Sequence, residues 1–210
     1  MAQVQAGARA GEIIIDGRVY RQSDWRTDKI YDTISKSAAA IAAGAEDLVF
    51  TNIANKTKRL TNMTQSGQLP SDWEIWVMAI GIEITPADIY SNLLLDNLLG
   101  DAYNIFRSTY FEFTLGQTTL VTQGRLQDYP WPFGLSMSVA GATWTAGDDK
   151  LWLTITNGIP NGHLKYLDYP VYITKDLAFQ GIIRWFDAVT LSEPWDIRVN
   201  LFGEINRPIR

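Results

Sequence analysis

The chain has 210 residues, a formal net charge of −5, no cysteine and one histidine. Without cysteine there is no disulfide framework and no thiolate nucleophile, and a single histidine excludes a two-histidine metal site. The acidic balance argues against a dedicated nucleic-acid binder, because such proteins carry a basic patch or stripe. Aromatic residues make up 12% of the chain, and aromatic side chains favour strands and dominate the energetics of interfaces.

The N-terminus predicts an arm followed by a hairpin. Residues 1–11 are small and polar, and Arg9 is the one charged side chain among them. Such a segment has too little apolar area to offset the entropy lost on ordering, so we predict a flexible arm. Apolar runs then flank Asp16-Gly17, and Asp-Gly between apolar runs is the strongest short-range hairpin signal.

An alanine-rich stretch follows over Ser35–Gly44. Propensity alone favours helix weakly there, so we predict a helical turn or a loose connector. At this chain length, one domain with an N-terminal arm is the simplest organisation. We therefore predict that residues 1–45 form the arm, the hairpin and the connector, and that residues 46–210 form one domain.

The middle of the chain predicts a long strand and then a helix. Trp73–Ile84 is apolar on both faces, which is typical of a central strand covered on each side. Thr85 suits the N-cap of a helix and Pro86 its first position. A run of leucines follows, and Gly100 is a typical helix stop. We predict one inserted helix near residues 86–100.

The second half of the chain predicts strands separated by turns. The alternating segment Ser108–Leu115 predicts a strand that leads through a glycine-first turn into a hairpin partner. Phe179–Asp187 and Trp195–Ile205 alternate most regularly and place their apolar side chains on one face. The whole pattern predicts about eight to ten strands in an all-β sandwich or barrel with one inserted helix.

Signatures of catalysis are missing from the sequence. No nucleophile elbow, phosphate-binding loop or dinucleotide fingerprint occurs. His163 follows an asparagine-glycine pair, which is typical of a surface turn. Glu83 and Glu112 could act as the carboxylate pair of a glycosidase, but no other feature marks them. We therefore predict no enzymatic activity and no cofactor.

Two charged clusters admit other roles. Carboxylates in loops can bind calcium, and the candidates, which match no recognised loop pattern, are Asp148, Asp149 and Asp168. The densest basic cluster consists of Lys56, Lys58 and Arg59. This basic cluster could contact nucleic acid or another subunit, but we expect a solvated loop.

Three segments of the chain share a pattern with one viral family. They are LTNMTQSGQLPSDWEIWVMAIGIEI, FEFTLGQTTLVTQGRLQDYPWPFGL and WDIRVNLFGEINRPIR, the last closing in a Gly-x-Ile-x-Arg-Pro pattern. The order of elements in residues 48–210 resembles the jelly-roll capsid proteins of tailless icosahedral viruses, of the bacteriophage type. The resemblance implies a single jelly-roll sandwich, since this length has no room for two. It also implies a structural role as a capsid subunit.

The resemblance further implies the partners and the location of the chain. Such a subunit would self-assemble, through trimers or pentamers, into an icosahedral shell, and its location would be the virion. Its partners would be copies of itself and other virion proteins. Because the arm carries only Arg9 and the chain is acidic, we expect little direct nucleic-acid contact. An internal membrane or another protein would then lie between shell and genome.

The aromatic, proline-stiffened loop DYPWPFG supplies candidate interface residues. Aromatic side chains on a stiff loop anchor interfaces well, because little entropy is lost when they dock. The interface candidates are Tyr129, Trp131, Phe133 and, in the closing pattern, Arg207. The alternative is that the aromatic side chains of this loop plug the end of the chain's own core.

Other classes of function remain open. A carbohydrate-binding β-sandwich module would use exposed aromatic rings as sugar platforms, and its candidates are Trp131, Trp144 and Trp152. A phage receptor-binding or spike protein would also be β-rich and oligomeric, but it would more often show repeats, and no fixed-spacing repeat is found here. The enzyme class comes last, as a jelly-roll hydrolase or a cupin, and a cupin needs clustered histidines that this sequence lacks.

Overall fold

The structure, a computed structural model, describes residues 4–6, 12–15, 18–21, 25–87, 95–116, 118–130, 135–136, 156–157 and 164–206. The strands, in chain order, are β1 Val4–Ala6, β2 Glu12–Ile15, β3 Arg18–Arg21, β4 Trp25–Lys36, β5 Ala40–Ile41, β6 Glu46–Val49, β7 Glu74–Pro86, β8 Thr109–Leu115, β9 Thr119–Arg125, β10 Leu135–Ser136, β11 Thr156–Asn157, β12 Lys165–Ile173, β13 Phe179–Trp185, β14 Val189–Thr190 and β15 Trp195–Asn206. Within these ranges the chain also forms the helix α1 Leu95–Ser108 and a 3₁₀ turn Leu126–Asp128.

Eight of the described strands form two four-stranded antiparallel sheets. Sheet 1 has the order β12-β7-β15-β4, and sheet 2 has the order β6-β13-β8-β9. The pairing is nested along the chain: β4 pairs with β15, β6 with β13, β7 with β12, and β8 with β9. Two further pairings, β7 with β15 and β8 with β13, complete the sheets.

The core lies between the two sheets because apolar side chains at alternate positions of their strands share one face. On β15 the side chains of Trp195, Ile197 and Val199 are wholly buried, and on β13 Ile183 and Trp185 are wholly buried as well. All of them belong to one hydrophobic cluster that takes residues from both sheets. Burying a side chain of this size stabilises the fold by about 1.5–3 kcal/mol. The expected all-β, two-layered architecture is therefore confirmed.

The N-terminal hairpin is present, and the arm before it is partly a strand. In the β2–β3 pair Ile15 faces Arg18, and the predicted turn residues Asp16-Gly17 lie outside the described residues. Val4–Ala6 pairs with β2, so the prediction of a structureless arm is wrong for these three residues. The backbone hydrogen bonds that β2 offers on its second edge account for this strand.

The predicted boundary between residues 45 and 46 is wrong. The strand β4 pairs along its whole length with β15, so it belongs to the main domain. Its side chains Ile30 and Ile34 are buried in the core. The alanine-rich stretch holds the end of β4, the short strand β5 and a turn rather than a helix. Pairing of β5 with β14 outweighs the weak helical preference of alanine.

The inserted helix lies further along the chain than predicted. Pro86 is the last residue of β7, where it faces Trp195, and Gly100 lies inside α1. The buried face of the helix contains Leu98, Ala102 and Ile105, whose spacing of four and three residues follows the helical period. Burial of this face outweighs the roughly 1 kcal/mol that a glycine costs inside a helix.

Two irregularities shape sheet 1. Between β7 and β15 the register shifts after Phe202, and Gly203 then faces Val77. A Cβ on Gly203 would lie 1.8 Å from the backbone oxygen of Trp76, so only glycine fits this close approach of two backbones. Between β7 and β12 the register shifts between Tyr166 and Val171, which pushes the intervening residues out of the sheet edge.

Candidate interface surfaces

The outer face of sheet 1 carries cross-strand ion pairs and hydrogen bonds. Arg198 on β15 donates from Nε to the hydroxyl of Thr33 on β4 at 3.1 Å. On its other side it is paired with Glu83 on β7 across 3.4 Å. Its guanidinium also lies over the ring of Tyr31, 5.2 Å from the ring centroid. Arg198 therefore joins three strands of the sheet at one position.

The same face contains a lysine whose charge is disfavoured. Burial lowers the pKa of Lys29, the nearby Arg198 lowers it further, and Glu83 opposes both. Asn200, two residues after Arg198 on β15, faces Tyr31 on β4 and is wholly buried. Within the described residues neither polar atom of the Asn200 side chain has a hydrogen-bond partner. An unpaired buried amide costs about 1–3 kcal/mol.

The basic cluster is held largely by internal ion pairs. Lys56 donates to both carboxylate oxygens of Asp32 at 2.9 Å, and its side chain is only 15% exposed. Arg59 is paired with Asp196 across 3.0 Å, whereas Lys58 is exposed. The expectation of a solvated basic loop is therefore wrong for Lys56, because the buried carboxylate of Asp32 draws its ammonium group inward.

The outer face of sheet 2 carries aromatic and arginine side chains. Tyr110 on β8 stands between Arg184 on β13 and Arg125 on β9. Arg184 is paired with Glu46 and with Glu112. The ring of Tyr110 packs against Phe186, with centroids 5.6 Å apart.

Exposed aromatic side chains also lie on α1, which ends at Ser108 where β8 begins. Phe106 is 37% exposed and Tyr103 is 63% exposed, and Phe186 beside the helix end is 59% exposed. The backbone N–H of Phe186 donates to the carbonyl of Ser108 at 2.8 Å, which holds Phe186 at the junction of α1 and β8. We call this the aromatic-arginine surface, consisting of Tyr103, Phe106, Arg107, Tyr110, Arg125 and Phe186.

A second exposed aromatic feature lies at the edge of sheet 1. Tyr166 faces Ala79 and Val171 faces Val77, so residues 167–170 of β12 oppose the single residue Met78. Tyr169 within this segment is 84% exposed and Tyr166 before it is 62% exposed. We call Tyr166–Pro170 the β12 bulge. Pro170 stiffens it, because its ring fixes one backbone angle.

Tyr129 is the one predicted interface residue that the structure describes, and it is buried. Only 1% of it is exposed, its ring stands edge-on to Phe111 with centroids 5.2 Å apart, and its hydroxyl lies 3.0 Å from that of Thr122. Burial raises the pKa of Tyr129, and Asp128 adds to this, while the hydrogen bond to Thr122 opposes it.

Tyr129 is therefore part of the chain's own core, as the alternative prediction had it. The prediction that Tyr129 is an interface residue is wrong. A buried ring has no area left for a neighbour. The three other interface candidates, Trp131, Phe133 and Arg207, lie outside the described residues.

The structure separates the two glutamates considered as a glycosidase pair. Glu83 lies on the outer face of sheet 1 with Arg198, and Glu112 lies on the outer face of sheet 2 with Arg184. The core lies between them, so they cannot flank one glycosidic bond.

The calcium candidates are likewise not brought together in the part of the chain that is described. Asp168 lies exposed in the β12 bulge, and no group of three potential metal-ligating side chains occurs in the described ranges. Asp148 and Asp149 lie outside these ranges, as do His163, Trp144 and Trp152.

Sequence reasoning missed both exposed surfaces. Period-two alternation predicts which face of a strand is buried. It cannot predict where several residues of one strand face a single residue of its partner. The β12 bulge depends on its pairing with β7, and the aromatic-arginine surface depends on the shifted helix. The usable signal was the concentration of tyrosines in KYLDYPVY.

Comparisons with known proteins give no assignment: no protein-family model, no curated protein and no solved structure matches this chain. In the described part of the chain, no helix has the length and apolarity needed to cross a membrane.

Proposed function

We propose that this chain is a virion structural protein, a capsid subunit with a single jelly-roll domain that self-assembles into an icosahedral shell. The observation that carries the proposal is the nested pairing of first strand with last, β4 with β15, then β6 with β13, β7 with β12 and β8 with β9. Nested pairing of this kind is expected of an eight-stranded antiparallel hairpin rolled into two sheets, as in the jelly roll of viral capsid and lectin domains.

The surface chemistry supports an assembling protein over an enzyme. Its exposed large apolar side chains include Phe186, Tyr166 and Tyr169, and aromatic residues are enriched at protein–protein interfaces. Several charged side chains on the outer faces of the sheets pair with one another, as Arg198 does with Glu83. These pairs stabilise the sheets and leave the aromatic side chains as the surface available to neighbours.

The charge of the chain supports a shell that makes little direct contact with the genome. The chain has a net charge of −5, and two of the three side chains in its densest basic cluster, Lys56 and Arg59, are held in ion pairs with Asp32 and Asp196. Under this proposal another virion protein or an internal membrane lies between the shell and the nucleic acid, and the principal partners are copies of the same chain.

The test is the assembly state of the purified full chain. Sedimentation velocity over a hundredfold range of concentration, with electron microscopy of the same samples, should reveal trimers or pentamers, and rings or shells at the highest concentration. A chain that stays monomeric throughout and is specifically retained on a glycan array would overturn the proposal. That result would favour the carbohydrate-binding module, since lectins share the jelly-roll connectivity.

A further inference from the structure

We propose that neighbouring copies of this chain associate by inserting the β12 bulge of one copy into the aromatic-arginine surface of the next. The proposal rests on the self-assembly proposed above and identifies the two surfaces that meet. One surface is a protruding acidic-aromatic segment, and the other is an exposed aromatic face bordered by arginines. The occupant of the aromatic-arginine surface is thus a second copy of the chain.

The β12 bulge has the properties of an inserting segment. Residues 167–170 face only Met78, so Asp168, Tyr169 and Pro170 are exposed while Leu167 packs against the core. Tyr169 at 84% exposure is the most exposed large hydrophobic side chain in the described residues. Between Tyr166 and Tyr169 lies Asp168, an exposed carboxylate with no ion pair in the described ranges.

The aromatic-arginine surface has the complementary properties. Its aromatic side chains include Phe186, which packs against Tyr110, and Phe106, which is exposed on α1. Arg107 follows Phe106 on α1, and Arg125 faces Tyr110 across the β8–β9 pair. In contrast to Arg184, neither Arg107 nor Arg125 takes part in an ion pair among the described residues. Two arginines without carboxylate partners thus border the site where the apolar rings are exposed.

Charge complementarity selects a second copy as the occupant. Copies of a chain with a net charge of −5 repel one another at long range, so association requires a local pairing of opposite charge. Asp168 on one copy and Arg107 or Arg125 on the next supply that pairing beside the aromatic contact. Arginine forms bidentate bonds with carboxylates, and aromatic anchors at the centre of an interface carry much of its binding energy.

The positions of the two surfaces predict a head-to-tail contact. The β12 bulge belongs to the edge of sheet 1, and the aromatic-arginine surface belongs to sheet 2 and α1, so one copy can present both at once. A contact between two different surfaces is heterologous, and heterologous contacts form closed rings or open chains rather than two-fold dimers. The trimer or pentamer expected of a capsid subunit is such a ring.

The test uses two variants of the full chain and their mixture. One variant carries Tyr166→Ala with Tyr169→Ala, and the other carries Phe106→Ala with Phe186→Ala. All four side chains are exposed, so circular dichroism and thermal unfolding should match the wild type. Each variant alone should associate at least roughly 30-fold more weakly, as expected for loss of aromatic anchors. Leu120→Ala, at an exposed apolar position outside both surfaces, should assemble like the wild type.

The mixture distinguishes this contact from any other. At equal concentrations the two variants should form a complex of two chains that grows no further, because each contributes one intact surface. Wild-type assembly by both variants, or a mixture that stays monomeric while the wild type assembles, overturns the proposed contact and leaves the capsid proposal standing. A wild type that never associates overturns both.

A charge exchange provides a second readout that does not depend on the aromatic side chains. Asp168→Arg alone should weaken association, and adding Arg107→Asp and Arg125→Asp to the same chain should restore it. Raising the salt concentration should weaken wild-type association, because exposed charges are screened. Assembly by the Asp168→Arg chain at the wild-type concentration contradicts the proposed pairing.

Discussion

Asp32 and Lys56 form an ion pair across 2.9 Å in which the carboxylate is wholly buried. The same carboxylate accepts the backbone N–H of Phe50 at 2.8 Å. Phe50 has a positive φ of 70°, a conformation that is costly for a bulky residue, and its ring packs in the core against Phe179. Asp32 on β4 therefore holds both the end of β6 and the basic loop that follows it.

Replacing Asp32 with alanine should lower the free energy of unfolding by about 3–5 kcal/mol, because it breaks a buried pair and leaves the other charge without a partner. Denaturant unfolding followed by tryptophan fluorescence measures the change. The matched control is Glu46→Ala, which removes the more exposed pair with Arg184 and should cost less than about 1 kcal/mol. Equal losses in both variants would contradict the structural role assigned to Asp32.

Replacing Gly203 with alanine should strongly destabilise the chain. The added Cβ would lie 1.8 Å from the oxygen of Trp76, so two paired backbones must separate at the centre of sheet 1. We expect a loss above about 3 kcal/mol, or failure to fold, as for other severe overpacking. Expression yield and thermal unfolding measure the effect.

The control for this substitution is Gly100→Ala. Nothing lies within 4 Å of a Cβ at Gly100, and the residue is exposed inside α1. Here alanine should raise the free energy of unfolding by about 1 kcal/mol through helix propensity. A Gly203→Ala chain as stable as the wild type would show that the register of β7 and β15 differs from the one described.

Replacing Asp101 with alanine should detach α1 from the segment before β15. The carboxylate of Asp101 accepts the backbone N–H of Ser192 at 2.8 Å, that of Glu193 at 2.9 Å and the indole N–H of Trp195 at 3.2 Å. Its loss leaves these donors without partners and should cost about 3 kcal/mol. Thermal unfolding measures this, and Asp101→Asn, which keeps one acceptor oxygen, should lose less. Equal stability of the alanine variant and the wild type would contradict the anchoring role.

Tyr129 should make the fold sensitive to high pH. Its pKa in the folded chain is raised above the usual 10.0, chiefly by burial. The unfolded chain therefore releases this proton first, so the stabilising effect is complete below about pH 10 and is lost as the pH rises through the folded pKa. Free energies of unfolding between pH 8 and pH 11 should fall less steeply in Tyr129→Phe than in the wild type. Parallel profiles would contradict the buried position of the phenol.

The purified chain should bind DNA weakly. The net charge is −5, and because Lys56 and Arg59 are held in ion pairs, only Lys58 of the basic cluster is left to displace counterions from phosphates. We expect a dissociation constant above about 100 µM at physiological salt, which is weaker than typical nonspecific binders. Fluorescence anisotropy with a labelled duplex measures it. Tight binding that weakens steeply with added salt would contradict the indirect genome contact.

Sequence patterns predict the strands with the strongest period-two alternation. They do not predict the bounds of elements that depend on pairing with a distant strand. The strands Phe179–Trp185 and Trp195–Asn206 lie within two residues of their predicted bounds, because alternation over nine and eleven residues leaves one buried face. The helix was predicted too early in the chain, because Thr85 and Pro86 form a good local helix start. Pairing of β7 with β15 instead extends the strand through both residues. Pairing with a strand distant in sequence therefore outweighed the local preference for a helix.

Alternation along the chain was enough to determine an all-β fold with two layers, since side chains two residues apart must share a face and an apolar face must be covered. The single histidine, likewise a property of the sequence alone, already excluded a two-histidine metal site, and the acidic composition argued against a dedicated nucleic-acid binder. Only the tertiary structure decided that Tyr129 is buried while Tyr169 is exposed. The reason is that exposure depends on which strand lies opposite and how many residues face it, and both belong to chain segments far apart in sequence.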